Sequence, residues 1–272
     1  MDRQTGAVVD EQFFGDNIVR FLYGPARERA PWLLRMLTSA RFSRWLAALN
    51  FDLPLAPRLI GNLRFLQRCG VDPAECLIPP ALLNTPRAIF ERQLRYWECR
   101  PMSEDQSVIV SPCDARVLTG SQQAASGVCL KGKLFAWDEL VGRQQTRWHS
   151  AFAGGEAAVF RLTPDRYHWN HTPVAGVVEA IYELDGSYHS CHPMALIAEA
   201  TPLSKNRRTV TIINTDVGGG TRVGLVAMVE VVALMIGDVV QRYCSERYAD
   251  PRDLIQGMFV KKGVPEKSVP PR

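Results

Sequence analysis

Two histidines three residues apart stand in RLTPDRYHWNHTPVAG, residues 161–176, between Pro164-Asp165 and Thr172-Pro173. The chain has five histidines in 272 residues, so this pair concentrates a scarce side chain. Imidazole titrates near neutral pH, which suits His168 and His171 to acid/base work. On a helical backbone, residues i and i+3 share a face. Metal ligation has little support: Asp165 is the only obvious third ligand, and no cysteine accompanies it. Structural hydrogen bonding is the third role open to the pair.

A carboxylate partner is available in SPCDARV, 111–117. Asp114 falls at a turn between apolar runs, where an aspartate commonly bonds its own backbone. Held against a ring nitrogen, the same group would fix the tautomer and stabilise an imidazolium, the logic of a nucleophile–His–Asp relay. Spacing does not decide whether Asp114 and a histidine meet.

The elements that must position these residues change character along the chain. Residues 11–100 read as helical. PWLLRMLTSARFSRWLAALN, 31–50, gathers Trp32, Leu33, Met36, Leu37, Trp45, Leu46 and Leu49 near one face, with Arg35, Arg41 and Arg44 mostly away from it. Such a face either packs on a core or lies flat at a membrane interface with its arginines at the headgroups. A second helix is expected over 85–97, opened by Thr85 as cap and Pro86 at its first position. After Arg100-Pro101 the runs 107–120, 127–137, 157–163, 176–184, 208–215 and 223–240 are short and β-rich, separated by turn residues. The expected fold is therefore α+β: a helical, basic region over 1–100 and a mostly antiparallel β core over 101–272. Gly218-Gly219-Gly220 reads as a hairpin turn, since a strand rather than a helix follows it.

The apolar run 223–240 has the length of a membrane span, but Glu230 lies in its middle and Gly237-Asp238 interrupts it. A carboxylate at bilayer depth costs several kcal/mol, so buried strands are expected instead. Residues 1–100 hold 14 Arg, no Lys and 10 acidic residues, which accounts for the whole net charge of +4. That asymmetry suits an anionic surface or a solvated arginine face. Seven cysteines, none in CxxC spacing, suit a reduced compartment rather than disulfides or zinc.

Together these segments resemble the phosphatidylserine decarboxylases. SPCDARV is similar to the family's S-P-x-D-G, and FRLTPDRYHWNHTPVAG to its F-R-L-x-P-x-D-Y-H-R-x-H-x-P-x-x-G. VAMVEVVALMIGDVV resembles the late strand, ERQLRYWECRP the lead-in, and KNRRTVTI the N-x-R segment. The order is correct, from about residue 85 to 263. The resemblance implies a pyruvoyl-dependent carboxy-lyase. It would convert phosphatidylserine to phosphatidylethanolamine and CO₂ in phospholipid biosynthesis. Its cofactor, a pyruvoyl group, forms from a serine when a Gly-Ser-Thr or Gly-Ser-Ser motif is cleaved into a long β chain and a short α chain. By position in the motif, His171 would activate that serine, Asp114 would orient His171, and His168 would handle the proton delivered to Cα. Tyr167 and Trp169 would stand in the substrate-binding set. The implied partners are the phospholipid, a membrane surface on its cytoplasmic side, the α chain and a second copy of the protein, with no nucleic acid.

The departures are specific. Ala115 replaces a Gly, Trp169 and Asn170 stand where Arg and a variable residue are common, and Val232 replaces a Gly. The sequence closes KKGVPEKSVPPR, near where Gly-Ser-Ser is expected. Ser268 has no preceding Gly and reads as a tail residue rather than the nucleophile. Three explanations follow: a β chain alone, a truncated or altered reading frame, or a non-processing, catalytically inactive lipid-binding relative. A decarboxylase of a free amino acid is the further alternative.

Overall fold

The computed structural model describes residues 16–52, 61, 64, 66–67, 70–121, 127–130, 133–163, 165–192, 195, 202–237 and 239–268. It opens with α1 (Asp16–Phe21), α2 (Arg27–Arg29), α3 (Pro31–Leu37) and α4 (Ala40–Ala47). The single helix expected over 31–50 is broken at Thr38-Ser39. Their hydroxyls donate to the carbonyls of Leu34 and Met36, at 2.9 and 2.6 Å, competing with the helical ladder. Ser39 then restarts the chain as the cap of α4, accepting from the Phe42 N–H.

The break splits the apolar face. Leu34 and Ala47 turn inward, whereas Trp32, Met36, Trp45 and Leu49 stay 67%, 46%, 57% and 42% exposed. Core packing therefore accounts for Leu34 and Ala47 but not for the tryptophans, Met36 or Leu49.

Thr85 caps α5 (Pro86–Phe90) as expected, accepting from the Ala88 N–H at 3.0 Å. The helix stops at Phe90 instead of running to 97. Residues 93–95 turn aside to pair with 75–77, through Leu77 N–H to Gln93 C=O and Arg95 N–H to Glu75 C=O, both 2.8 Å. A last helical turn, α6 (Tyr96–Cys99), follows.

The named strands of the β-rich part all pair antiparallel. β1 (Arg116–Ser121) pairs with β4 (Glu156–Arg161), and β2 (Gly127–Leu130) with β3 (Lys133–Ala136). Of the run 107–120, only the end from Arg116 is strand. β5 (Trp169–His171), β6 (Gly176–Leu184), β7 (Arg208–Asn214), β8 (Leu225–Val231), β9 (Val240–Gln241), β10 (Phe259–Val260) and β11 (Pro265–Ser268) build two sheets, ordered β10-β6-β7-β8 and β5-β11-β9. The fold is thus the expected α+β. The triglycine lies in the turn joining β7 to β8.

Within the apolar run 223–240, residues 225–231 form β8 and Val240 opens the short β9, so the run contributes to two strands. Glu230 is tied within it to the Asn170 amide at 2.6 Å. Among the described residues no helix is long and apolar enough to cross a membrane. Ser268, expected in a tail, has its backbone in β11, paired with Trp169 and Val240.

One apolar cluster joins the two parts of the chain around the histidine segment. Leu66, Val71, Leu83, Ile89 and Leu94 pack with Tyr167 and Trp169. Burying each such side chain stabilises the fold by roughly 1.5–3 kcal/mol, enough to hold the segment between them in one conformation.

Candidate active site

The histidines sit on extended backbone, not on a helical turn. His171 ends β5 and His168 immediately precedes it. The His171 N–H donates to the Pro112 carbonyl at 2.7 Å, which draws in the 111–114 turn. On the other side β11 pairs His171 with Pro265, and the Gly263 N–H donates to the Thr172 carbonyl at 2.8 Å. Three separate stretches of chain therefore meet at one ring.

The hydrogen bonds determine the tautomer of that ring. Nδ1 of His171 lies 2.9 Å from the Gly263 carbonyl oxygen. A carbonyl only accepts, so Nδ1 carries the proton and Nε2 keeps its lone pair. The Tyr167 hydroxyl, 3.0 Å from Nε2, is then the donor. The Tyr167 oxygen lies 2.7 Å from that of Tyr248. The one Tyr248 proton has two acceptors within reach, the Tyr167 oxygen and the Leu94 carbonyl. Tyr248 is anchored in turn on Leu94, accepting from its N–H at 3.0 Å and lying 2.9 Å from its carbonyl. The result is a relay running Leu94–Tyr248–Tyr167–His171–Gly263.

Burial sets the charge. His171 is 2% exposed, and desolvation pushes its pKa down to about 4 against the opposing pull of the Gly263 carbonyl. It is neutral at pH 7. Burial also raises the Tyr167 phenol well above its ordinary value, so it stays protonated and able to donate. The edge of Tyr96 meets the imidazole at 4.5 Å between centroids.

His168 has a different seat. Its ring stacks on Phe90 at 3.6 Å and 29°. Its Nδ1 lies 2.9 Å from the Arg166 carbonyl, so again Nδ1 is the donor. Among the described residues no hydrogen-bond partner meets Nε2. Desolvation lowers its pKa to about 3, and the positive charge of Arg92 adds to that. Both imidazoles are neutral, and each presents Nε2 as its basic nitrogen.

Asp114 does not complete a relay with His171. Its carboxylate accepts from Arg100 instead, at 3.1 Å from Nη2 and 3.3 Å from Nε. The same guanidinium holds Glu75 through two further bonds at 2.9 and 3.1 Å. A planar fork between two carboxylates makes several charge-assisted bonds at once, which a neutral imidazole N–H cannot match. The Gly263 carbonyl has the orienting position expected for Asp114.

Tyr167 and Trp169, expected to contact substrate, are buried and use their polar atoms within the chain. Tyr167 serves the relay, and the Trp169 indole N–H donates to the Glu91 carbonyl at 3.1 Å. The residues that sequence reasoning missed are Tyr248, Gly263, Phe90 and Arg100. Tyr248 carries no local signal; it reaches Tyr167 across 81 positions. Arg100 was visible only as part of the lead-in ERQLRYWECRP. Among the described residues no cluster of three or more metal-ligating side chains occurs.

Comparison with known proteins gives one consistent result. The sequence model of the family described as phosphatidylserine decarboxylase matches residues 87–265. A phosphatidylserine decarboxylase proenzyme of Chlamydia trachomatis serovar L2 is 28% identical over 267 residues, covering 97% of this chain and 80% of its own. A Fusobacterium nucleatum proenzyme of the same name is 26% identical over 246 residues, covering 89% of this chain and 77% of its own. Phosphatidylserine decarboxylase proenzyme 3 of Schizosaccharomyces pombe is 26% identical over 250 residues, which is 24% of its length. With the match spanning both histidines, the 111–117 turn and the strand that flanks them, this chain belongs to the phosphatidylserine decarboxylase family.

Proposed function

We propose that this polypeptide forms the β-chain part of a pyruvoyl-dependent decarboxylase that converts phosphatidylserine to phosphatidylethanolamine and CO₂. The observation that carries the reading is the pair of neutral, buried imidazoles beside the strand that leads toward the chain's last residues. β11 runs antiparallel to β5, so successive residues of β11 pass His171, then Asn170, then Trp169.

A pyruvoyl group supplies an electron sink for the pair left on Cα when CO₂ departs. The residues present suit such a group: two uncharged nitrogen bases, each fixed by a main-chain carbonyl, in a water-poor setting. His171 and His168 would flank it. In this reading the pyruvoyl serine belongs to the α chain.

His171, held by Gly263 and Tyr167, is the base for a serine hydroxyl, which is barely nucleophilic without one. To take that proton, Nε2 must exchange its Tyr167 bond for the incoming hydroxyl. Tyr167 can turn to Tyr248 while this happens. His168 is the proton carrier at the substrate carbon. A carboxylate brought beside it raises its proton affinity from the low value that burial imposes. Such positioned transfers are typically worth about 10²–10⁴ in rate.

The exposed Trp32, Met36, Trp45 and Leu49, with Arg35, Arg41 and Arg44 also exposed, support a peripheral seat on an anionic membrane surface. The cytoplasmic side, and pairing with a second copy, are part of this reading. The test uses the product of the complete reading frame. Intact mass should show two chains, and labelled phosphatidylserine in vesicles should yield phosphatidylethanolamine. His171→Ala should leave one uncut chain. A single uncut wild-type chain that binds vesicles and releases no CO₂ would instead identify an inactive lipid-binding relative. Conversion of free serine alone would point to an amino-acid substrate.

A further inference from the structure

We propose that Arg92 is the positioning residue for His168, pinning the histidine segment to the end of α5 and facing the ring with a buried positive charge. Its part in turnover rests on the proton-carrying role given above to His168.

Three consecutive residues make the attachment. Phe90 stacks its ring on that of His168. The Glu91 carbonyl accepts the Trp169 indole N–H at 3.1 Å. Arg92 donates to two carbonyls at once, to Ile89 through Nη1 and to Asp165 through Nη2, both at 2.9 Å. The first bond closes the last turn of α5, where basic side chains commonly satisfy carbonyls. The second spans 73 positions of chain. Asp165 and Trp169 bracket His168, so residues 90–92 hold it from both sides. The ring completes the arrangement by donating from Nδ1 to the Arg166 carbonyl.

Arg92 is also an unusual core residue, only 6% exposed. A buried guanidinium is ordinarily matched by a carboxylate. Among the described residues no carboxylate lies within 4 Å of Arg92, and its buried Nε meets no hydrogen-bond partner. The other arginines of this region are paired, Arg100 with Glu75 and Asp114, and Arg166 with Asp165.

The charge of Arg92 therefore bears on its neighbours. Two charged groups face His168, namely Arg92 and Asp165. Burial does most to keep the ring uncharged; Arg92 adds to that and Asp165 opposes it. Asp165 is a third exposed and lies 3.4 Å from the Arg166 Nε, so water and a counter-ion weaken its field. Arg92 acts through protein, where charges are felt more strongly. A neutral base in a positive field takes up a proton only when negative charge arrives beside it. Protonation of His168 is thus coupled to the arrival of an anionic substrate.

The test uses the product of the complete reading frame and two variants. Arg92→Gln keeps an N–H donor and loses the charge; Arg92→Lys keeps the charge and a single donor group. Both leave His171 and its partners in place, so each should be cut into two chains as wild type is. Ring ¹⁵N spectra of histidine-labelled protein follow His168, whose signals are those missing from His168→Asn. In wild type and Arg92→Lys the ring should stay neutral, with its proton on Nδ1, down to about pH 4.5; in Arg92→Gln it should titrate about one pH unit higher. On phosphatidylserine vesicles Arg92→Gln should lose about tenfold in kcat, with KM within about twofold and the basic limb of its pH profile about one unit higher. Arg92→Lys should keep the wild-type limb and roughly a third or more of the turnover.

Identical ring titration in wild type and Arg92→Gln would overturn the proposal, as would an Arg92→Lys variant as impaired as Arg92→Gln. If Arg92→Gln gives no soluble protein, Arg92→Lys decides: a wild-type ring titration upholds the proposal and an upward shift overturns it. The ring spectra do not depend on turnover. A wild-type protein that releases no CO₂ would therefore sink the decarboxylase reading and leave the placement of Arg92 to be decided by the titration.

Discussion

Acidification should destabilise this protein through its two buried histidines, and the size of the effect follows from their environment. An unperturbed imidazole has a pKa near 6.5, whereas burial lowers His171 to about 4 and His168 to about 3. As pH falls through 6.5 the unfolded chain takes up protons that the folded chain refuses. Stability therefore drops with pH until the folded values are reached. Between pH 7 and pH 5 each histidine should contribute a loss of ~2 kcal/mol, or ~4 kcal/mol for the pair. His168→Asn keeps an N–H donor for the Arg166 carbonyl but cannot titrate, so it should lose ~2 kcal/mol less than wild type over that interval. Urea unfolding at several pH values measures this directly, provided the denaturant slope is constant. Equal pH dependence for wild type and His168→Asn would refute the assignment of a buried, neutral imidazole.

Three further outcomes follow from the geometry. Tyr167→Phe strands the buried Nε2 of His171 without its donor; it should cost ~2 kcal/mol and lower the melting midpoint by about 4–8 °C. Arg100→Lys replaces a fork on two carboxylates by a point charge; at about a third exposed, the loss should be only ~1 kcal/mol, and adding Glu75→Gln should cost little more in a double-mutant cycle. Gly176→Ala puts a Cβ 2.3 Å from the Asn214 carbonyl oxygen at the start of β6, and should cost more than ~3 kcal/mol or abolish soluble expression.

What could be read in advance depended on how far apart in the chain the cooperating residues lie. His168 and His171 are neighbours, so their segment was evident from composition and spacing alone. The β runs were legible because alternation and turn residues are local properties. The helix expected over 31–50 failed at Thr38-Ser39, where two hydroxyls compete for carbonyls that the apolar periodicity takes as already used. Asp114 was read as a carboxylate at a turn between apolar runs, but its partner is set by three-dimensional approach. Arg100 reaches it from the end of α6 while also holding Glu75, and a charge-assisted pair of this kind is stronger than a bond to a neutral ring. Tyr248 and Gly263 lie 81 and 92 positions from the residues they bond, and nothing in their own neighbourhoods marks them.

β11 lies in the middle of its sheet, gripped by β5 on one edge and β9 on the other. The ribosome delivers it after both of its neighbours, so this sheet is completed only once β11 is made. Only when Gly263 emerges does His171 acquire the carbonyl that selects its tautomer. The His171 ring is thus oriented late in synthesis, by a stretch of chain that a half-made polypeptide does not yet have.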